Sequence, residues 1–394
     1  MAGWKRYTGL ILLWQVAASV CFYAIYAVTP FVREDFGVSA TLVGVMLTAL
    51  MLGYTLCLLP VGSLIDAYGE KRALVVGLLG LGVAVAVVTR AGSYSVLLVS
   101  VLVLGGFYAT AMPGTNAAVF NAIPHERLNT SMGIKQVGVT AGSGIAALAV
   151  PWFGATRFGW EVAFLLAAAV AGVVSVVFWL TYDAGSEGSG EGADRGGIRA
   201  HLSSPAYVLL TAAGFFLGAG LFTTTGYTIL YVHESVGASV VFAGVVLAAA
   251  QVSGSAGRVV FGWLADRLSA SLTAATLRIL LVQSAASAVL FVAVILVDSP
   301  ALALVAFTTL GLFVLGFTGV YYSCMGSLVP SEEMGSATAG GQIALNGGAL
   351  CAPPAFGLLV DVSGYAAAWT MLAASAAVAF CLLVVVIRRE GTRH

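Results

Sequence analysis

The chain has 394 residues, 60% of them hydrophobic and only 9% charged, and its 17 basic and 17 acidic side chains cancel to zero net charge. Soluble chains carry roughly a quarter charged residues, so this composition excludes a water-soluble globular domain. With no polybasic run, it also excludes recruitment by nucleic acid or by an anionic surface.

Apolar runs of about 20 residues, each enough to cross a hydrocarbon layer, follow one another along the whole length. Their cores lie at roughly 10–30, 40–62, 73–91, 95–118, 131–152, 161–181, 206–230, 239–262, 274–297, 301–328, 337–359 and 366–387. Twelve such spans predict an all-α integral membrane fold. A transmembrane β-barrel would show alternating ten-residue segments instead. The first run is long and has no small-x-small cleavage site ahead of a soluble segment, so it reads as an uncleaved membrane helix. The stretch Asp183-Ala-Gly-Ser-Glu-Gly-Ser-Gly-Glu-Gly-Ala-Asp-Arg-Gly-Gly197 is too polar to bury and reads as a flexible linker. It divides the chain into a six-helix bundle over 1–182, a linker over 183–204 and a second six-helix bundle over 205–394. Cys21, Cys57, Cys324, Cys351 and Cys381 are scattered through apolar runs with no pairing pattern and read as small hydrophobes.

Charge placement predicts orientation. Eleven basic residues fall in the N-terminus, the even-numbered loops and the C-terminus: Lys5, Arg6, Lys71, Arg72, Arg127, Arg195, Arg199, Arg267, Arg388, Arg389 and Arg393. Only Arg33, Arg90 and Arg157 fall in the odd-numbered loops. The excess of basic residues on cytoplasmic loops then puts both termini in the cytoplasm of a multi-pass protein of the cell membrane.

The halves repeat. Gly62-Ser-Leu-Ile-Asp66-Ala-Tyr-Gly69-Glu-Lys71-Arg72 returns, weakened, as Gly262-Trp-Leu-Ala-Asp266-Arg267, each copy at the end of an apolar run. Pro124 and Pro330 close the fourth and tenth spans, and Gln136 in the fifth span matches Gln342 in the eleventh. Small residues four apart, at Gly138, Gly142 and Ala146 and at Gly214 and Gly218, predict close helix approach and smooth faces.

The turn Gly62-x3-Asp66-x2-Gly69-x-Lys71-Arg72, its weaker copy, the twelve spans and the central linker together resemble the major facilitator superfamily over essentially the whole chain. The second copy departs from the pattern, with Ser269 in place of the later glycine and no basic pair. The resemblance implies two pseudo-symmetric six-helix bundles that expose a midplane cavity alternately to either side. It also implies a conformational latch made by Gly62, Asp66, Gly69, Lys71, Arg72, Gly262, Asp266 and Arg267. Asp66 would sit near the N-terminal end of a helix in the opposite half, where partial positive charge favours it.

No motor or catalytic set accompanies this architecture. None of Lys5, Lys71 and Lys135 follows a glycine, so a phosphate-binding loop is absent. His125-Glu126 and His233-Glu234 lack the second histidine of a zinc-protease helix. The expectation is a transporter and not an enzyme, with no cofactor and no metal. It would act as a monomer whose partners are membrane lipid and a small-molecule substrate, with a coupling ion left open.

Ionisable residues inside a span are functional candidates by default. All 17 carboxylates fall in loops or at helix ends, so the buried polarity is cationic: Lys135, Arg258 and Arg278. Lys135 lies about 8 Å inside the fifth span, and Arg258 shares a helix face with Gln251 and Ser255. Arg258 resembles the substrate-binding arginine of the superfamily's monocarboxylate and oxalate porters, although Gly254 stands where those often carry an acid. Two cations without an acidic mate suit an anion; the competing reading is that the long side chains snorkel to the membrane surface. Snorkelling is the expectation for Arg278. Gln136, Tyr23, Tyr26, Tyr108, Asn116, Tyr227, Tyr231, Tyr322, Gln342 and Asn346 are the polar candidates to complete a cavity. Pro113, Pro151, Pro353 and Pro354 mark possible kinks. The expected cargo is a small organic anion of the monocarboxylate kind. The alternatives are a neutral solute or amphipathic drug on the same fold, or a non-transporting membrane sensor.

Overall fold

The structure, a computed structural model, describes residues 3–183, 204–268, 271–330 and 333–391. Twelve of its helices are long and apolar enough to cross a membrane: α1 Trp4–Ala27, α2 Ala40–Tyr68, α3 Glu70–Val88, α4 Tyr94–Ala122, α5 Thr130–Gly154, α6 Glu161–Thr181, α7 Pro205–Glu234, α8 Val240–Leu268, α9 Leu272–Ile295, α10 Pro300–Ser327, α11 Ser336–Ser363 and α12 Tyr365–Arg389. No strand occurs among the described residues. The all-α, twelve-span expectation holds. The linker expected over 183–204 lies outside the described residues except at its two ends, as does Ser269.

The helices start where the sequence supplies caps. Ser93, Ser204 and Ser271 each accept the N–H three residues on, ahead of α4, α7 and α9. Before α2 and α8 the same device appears twice at a spacing of 200 residues. Gly37 (φ +60°) and Gly237 (φ +73°) turn the chain, and the serine two residues later caps the helix: Leu42 N donates to Ser39 Oγ at 3.3 Å, and Phe242 N to Ser239 Oγ at 3.2 Å. Gly159 and Gly364 likewise turn the chain at positive φ before α6 and α12. The duplication is thus written in backbone geometry as well as in the signature turn.

Two spans are broken at near-equivalent places. α4 consists of Tyr94–Tyr108 and Ala111–Ala122, and α10 of Pro300–Val314 and Thr318–Ser327. In α4, Pro113 has no N–H to return to the carbonyl one turn back. No proline stands at the α10 break. Gly316 sits there instead, pressed on α8 so closely that an added Cβ would lie 3.1 Å from the Cα of Gly257. Three further helices carry internal prolines: Pro151 in α5, Pro353 and Pro354 in α11, and Pro60 in α2.

The chain divides into two units. The first holds Met1–Val38 and Met46–Glu191, the second Ser39–Val45 and Gly192–His394. Inside the first unit, α5 lies so close to α1 that a Cβ on Gly142 would fall 2.5 Å from Ser19 Cβ and 2.7 Å from Val16 O. Inside the second, α7 meets α11 in the same way: a Cβ on Gly218 would fall 2.3 Å from Leu345 O. Hydrocarbon gives no hydrophobic drive between helices, so this backbone-to-backbone contact is what holds them.

The signature turn is a surface feature with one buried anchor. Gly69 adopts φ +83° between α2 and α3, a conformation that a side chain would strain. A Cβ added at Gly62 or at Gly262 would meet nothing within 4 Å, so packing requires neither glycine. Asp66, Arg72 and Asp266 are exposed, and Arg267 stacks on the Trp263 ring at 4.2 Å. Lys71 lies 3.9 Å from Asp183 and 5.1 Å from the Trp179 ring centroid. The anchor is Glu70, between the glycine and the basic pair. It is only 4% exposed, starts α3 where the helix dipole favours a carboxylate, and accepts a 3.0 Å hydrogen bond from the Tyr182 hydroxyl. Burial, and then the Glu70 carboxylate, push the Tyr182 hydroxyl well above its usual range, so it stays a donor.

Two substitutions test this account. Gly142→Ala should cost about 1–3 kcal/mol by overpacking, whereas Gly144→Ala, two residues along α5 with nothing within 4 Å, should be neutral or stabilising. Thermal unfolding of the purified protein in detergent distinguishes them. Tyr182→Phe removes the donor from a buried carboxylate and should cost about 1–3 kcal/mol in the same assay.

Candidate functional site

The fifth span brings its lysine inward. Lys135 is 1% exposed, and its Nζ donates to Asn116 Oδ1 on the second piece of α4. Among the described residues no carboxylate joins this pair. An amide oxygen solvates an ammonium group without neutralising it. The side chain does not snorkel. One turn before it, Ser131 exchanges a 2.9 Å hydrogen bond with Thr8 of α1, which fixes this end of α5 against α1.

A polar and aromatic wall continues along α1. Gln15 Nε2 donates to Ser19 Oγ at 3.2 Å, Thr115 Oγ1 lies 3.4 Å from Gln15 Oε1, and Ser19 Oγ meets the Tyr108 hydroxyl at 3.3 Å. Gly138, three residues past Lys135, allows Gln15 to pack directly on α5. Tyr108 stacks on Phe22 at 4.0 Å, and Tyr54, Tyr23 and Tyr26 join the ring cluster. The buried Tyr26 hydroxyl has no partner among the described residues. The first unit thus holds the Lys135–Asn116 pair and, along α1, a network of Gln15, Ser19, Thr115, Tyr108, Tyr23, Tyr26 and Tyr54. Thr115 and Tyr54 gave no signal in the sequence: each is a single polar group in an apolar run, and only the neighbouring helix gives it a purpose. Gln136 does not join them. It lies on the exposed side of α5 and bonds to no described residue.

In the second unit, the Tyr322 hydroxyl donates to Gln342 Oε1, and Gln342 Nε2 donates to Asn346 Oδ1 at 2.8 Å. This link joins the second piece of α10 to α11. Arg258 is half-buried on α8, and its Nε donates to Leu315 O at 3.1 Å, a carbonyl at the break in α10. Gln251 is buried two turns earlier on α8. The missing acid at position 254 has a steric cause: a Cβ there would lie 2.4 Å from Leu315 Cβ. Arg278 is exposed.

Tyr227 and Tyr231 hold backbone. The Tyr227 hydroxyl lies 2.7 Å from Ala40 O and 3.0 Å from Pro353 O, and Tyr231 donates to Val294 O at 2.8 Å. The Tyr231 ring packs with Phe307, Tyr365 and Trp369. A buried amide that sequence reasoning does not single out is Gln283 of α9, 1% exposed, with both polar atoms unpartnered among the described residues.

Known proteins share this architecture. The chain is 22% identical over 426 residues to a D-galactonate transporter of Escherichia coli O6:H1, covering 99% of this chain and 98% of that one. It is 28% identical over 198 residues to a tetracenomycin C resistance and export protein of Streptomyces glaucescens, and 25% identical over 176 residues to a hexuronate transporter of Bacillus subtilis. These last two matches cover 49% and 44% of this chain and only 34% and 41% of the relatives' lengths. Among solved structures, the chain superposes on a bacterial homolog of the human lysosomal transporter Spinster with a TM-score of 0.80 at 15% identity, covering 98% of this chain and 96% of that one. It superposes on a single-site mutant of the nucleoside transporter NupG with a TM-score of 0.81 at 14% identity, covering 96% and 99%. The family model of the Major Facilitator Superfamily matches residues 11–339. With that match over most of its length, twelve spans and the duplicated signature turn, the chain belongs to the major facilitator superfamily of membrane transporters.

Proposed function

We propose that this protein is a secondary transporter of a small organic anion, with Lys135 as the contact for the carboxylate. The observation that carries the reading is the buried ammonium group held, among the described residues, by the Asn116 amide alone. A charge in that setting costs several kcal/mol unless something neutralises it, and an anionic cargo does so at each turnover. Gln15, Ser19, Tyr108 and the adjoining rings supply hydroxyl, amide and aromatic surface, which suits a carboxylate bearing hydroxyl groups. Two relatives, a D-galactonate and a hexuronate transporter, carry sugar acids and agree in kind. The Tyr322–Gln342–Asn346 link in the second unit is a further set of groups suited to hydroxyls. Arg258 acts first as a positioning residue, holding the α10 break through Leu315. Both termini are assigned to the cytoplasm of the cell membrane from the distribution of basic loops.

A second reading, export of an amphipathic drug, is favoured by the five-ring cluster of Phe22, Tyr23, Tyr26, Tyr54 and Tyr108. The tetracenomycin C export relative agrees with it in kind.

One variant separates these readings in proteoliposomes. With D-galactonate as the first probe and other sugar acids and monocarboxylates as a panel, Lys135→Met should lower uptake roughly 10- to 100-fold, the loss of one charge-assisted hydrogen bond. The same variant should melt at a higher temperature than the parent, because an unpaired buried charge has been replaced by an apolar isostere. Undiminished anion uptake by Lys135→Met overturns the anion reading. Thermal stabilisation by amphipathic cations or neutral polyketides alone, unchanged in Lys135→Met, supports the second. Arg258→Lys keeps the charge but loses the planar Nε donor, so uptake should fall several-fold with little change in KM.

A further inference from the structure

Residues 39–45, the first turns of α2, belong to the second unit, while the helix from Met46 onward belongs to the first. A single carboxylate caps them there. Asp361, in the last turn of α11, accepts from Ala40 N at 2.9 Å through Oδ1, and from Thr41 N at 2.8 Å and Thr41 Oγ1 at 2.6 Å through Oδ2. The opening N–H groups of a helix have no partner within it and carry its positive end, so an anion there is bound by both hydrogen bonds and dipole. Ser39 supplies the ordinary local cap to Leu42 N; Asp361 supplies the rest from 320 residues away.

The seat is built to match. Pro353, Gly357 and Asp361 lie four residues apart on one face of α11, and the α2 segment lies along that face. A Cβ on Gly357 would fall 2.2 Å from Ala40 O, and a Cβ on Gly44 would fall 2.3 Å from Pro353 O. Tyr227 adds its hydroxyl to Ala40 O at 2.7 Å. Yet Asp361 itself is exposed, so water can replace the amides when the carboxylate lets go. A buried pair would not release so readily.

We infer that Asp361 is a positioning residue for the transport cycle, a releasable clasp on the start of α2. While the clasp is made, residues 39–45 stay with the second unit; when it opens, they move with the remainder of α2. The inference rests on family membership and on this geometry, not on the identity of the cargo.

A cysteine reporter at Val43, which is fully buried in the clasped segment, tests it without any substrate. The full-length Val43→Cys protein in membranes is treated with a membrane-impermeant maleimide, and the parent chain is treated alongside to subtract its five native cysteines. Asp361→Asn should raise the labelling rate roughly 10-fold, and Asp361→Glu should restore much of the protection. A second reporter, Ala379→Cys in the buried core of the second unit, should stay protected throughout. Unchanged labelling at Val43→Cys overturns the clasp. So does labelling that rises equally at both reporters, which is what a merely structural role would give. If Asp361→Asn does not accumulate, Thr41→Val removes one of the three bonds and should give a smaller rise; no rise there overturns the inference.

Discussion

In hydrocarbon a polar group has no water to fall back on, and the two breaks in spanning helices here are each answered by a donor from inside the protein. The break in α4 is closed locally, where Thr110 Oγ1 donates to Phe107 O at 2.8 Å. The break in α10 is closed from outside, by Arg258 Nε on Leu315 O. Three buried tyrosines do the same for other carbonyls: Tyr207 on Ala337, Tyr227 on Ala40 and Tyr231 on Val294. This rule separates tyrosines that complete the scaffold from those, such as Tyr26, whose hydroxyl is buried without a described partner.

The repeat shows what was kept and what diverged. Asn116 and Tyr322 are 206 positions apart, and so are Gln136 and Gln342. In both units a polar side chain on the second piece of the broken helix bonds to the helix after it: Asn116 to Lys135, and Tyr322 to Gln342. The link has been preserved while its chemistry changed. The position equivalent to Lys135 in the second unit is Gly341, where an added Cβ would meet the Tyr321 ring at 3.1 Å, so a lysine there would need the ring to shift. One link is cationic and the other neutral.

The spans, their number, the duplicated turn and the close-packing glycines were legible because each is a local property: apolar length, small-residue spacing or turn chemistry. The acid missing at position 254 was legible as an absence, but its cause, the Leu315 side chain, belongs to another helix. Nothing local in the turn marks Glu70; only Tyr182, 112 residues on, makes it a buried anchor. Asp361 looked like a helix-end acid. Its role depends on the start of α2 being docked against α11, which no periodicity within either helix encodes. The pairing of Gln136 with Gln342 was correct as sequence and uninformative as environment, since one faces outward and the other is bonded on both sides of its amide.

The direction taken by Lys135 bears most on function. A lysine about 8 Å from the helix end is within reach of the polar surface and would ordinarily extend towards it, since hydration there is worth far more than one amide contact. Here the side chain turns inward to Asn116 and is 1% exposed. Gly138 and Gly142, three and seven residues on, bring α1 close against α5. A soluble protein would pair such a charge with an acid. This chain places its carboxylates in loops and at helix ends, and under the proposed function the counter-charge arrives with the cargo.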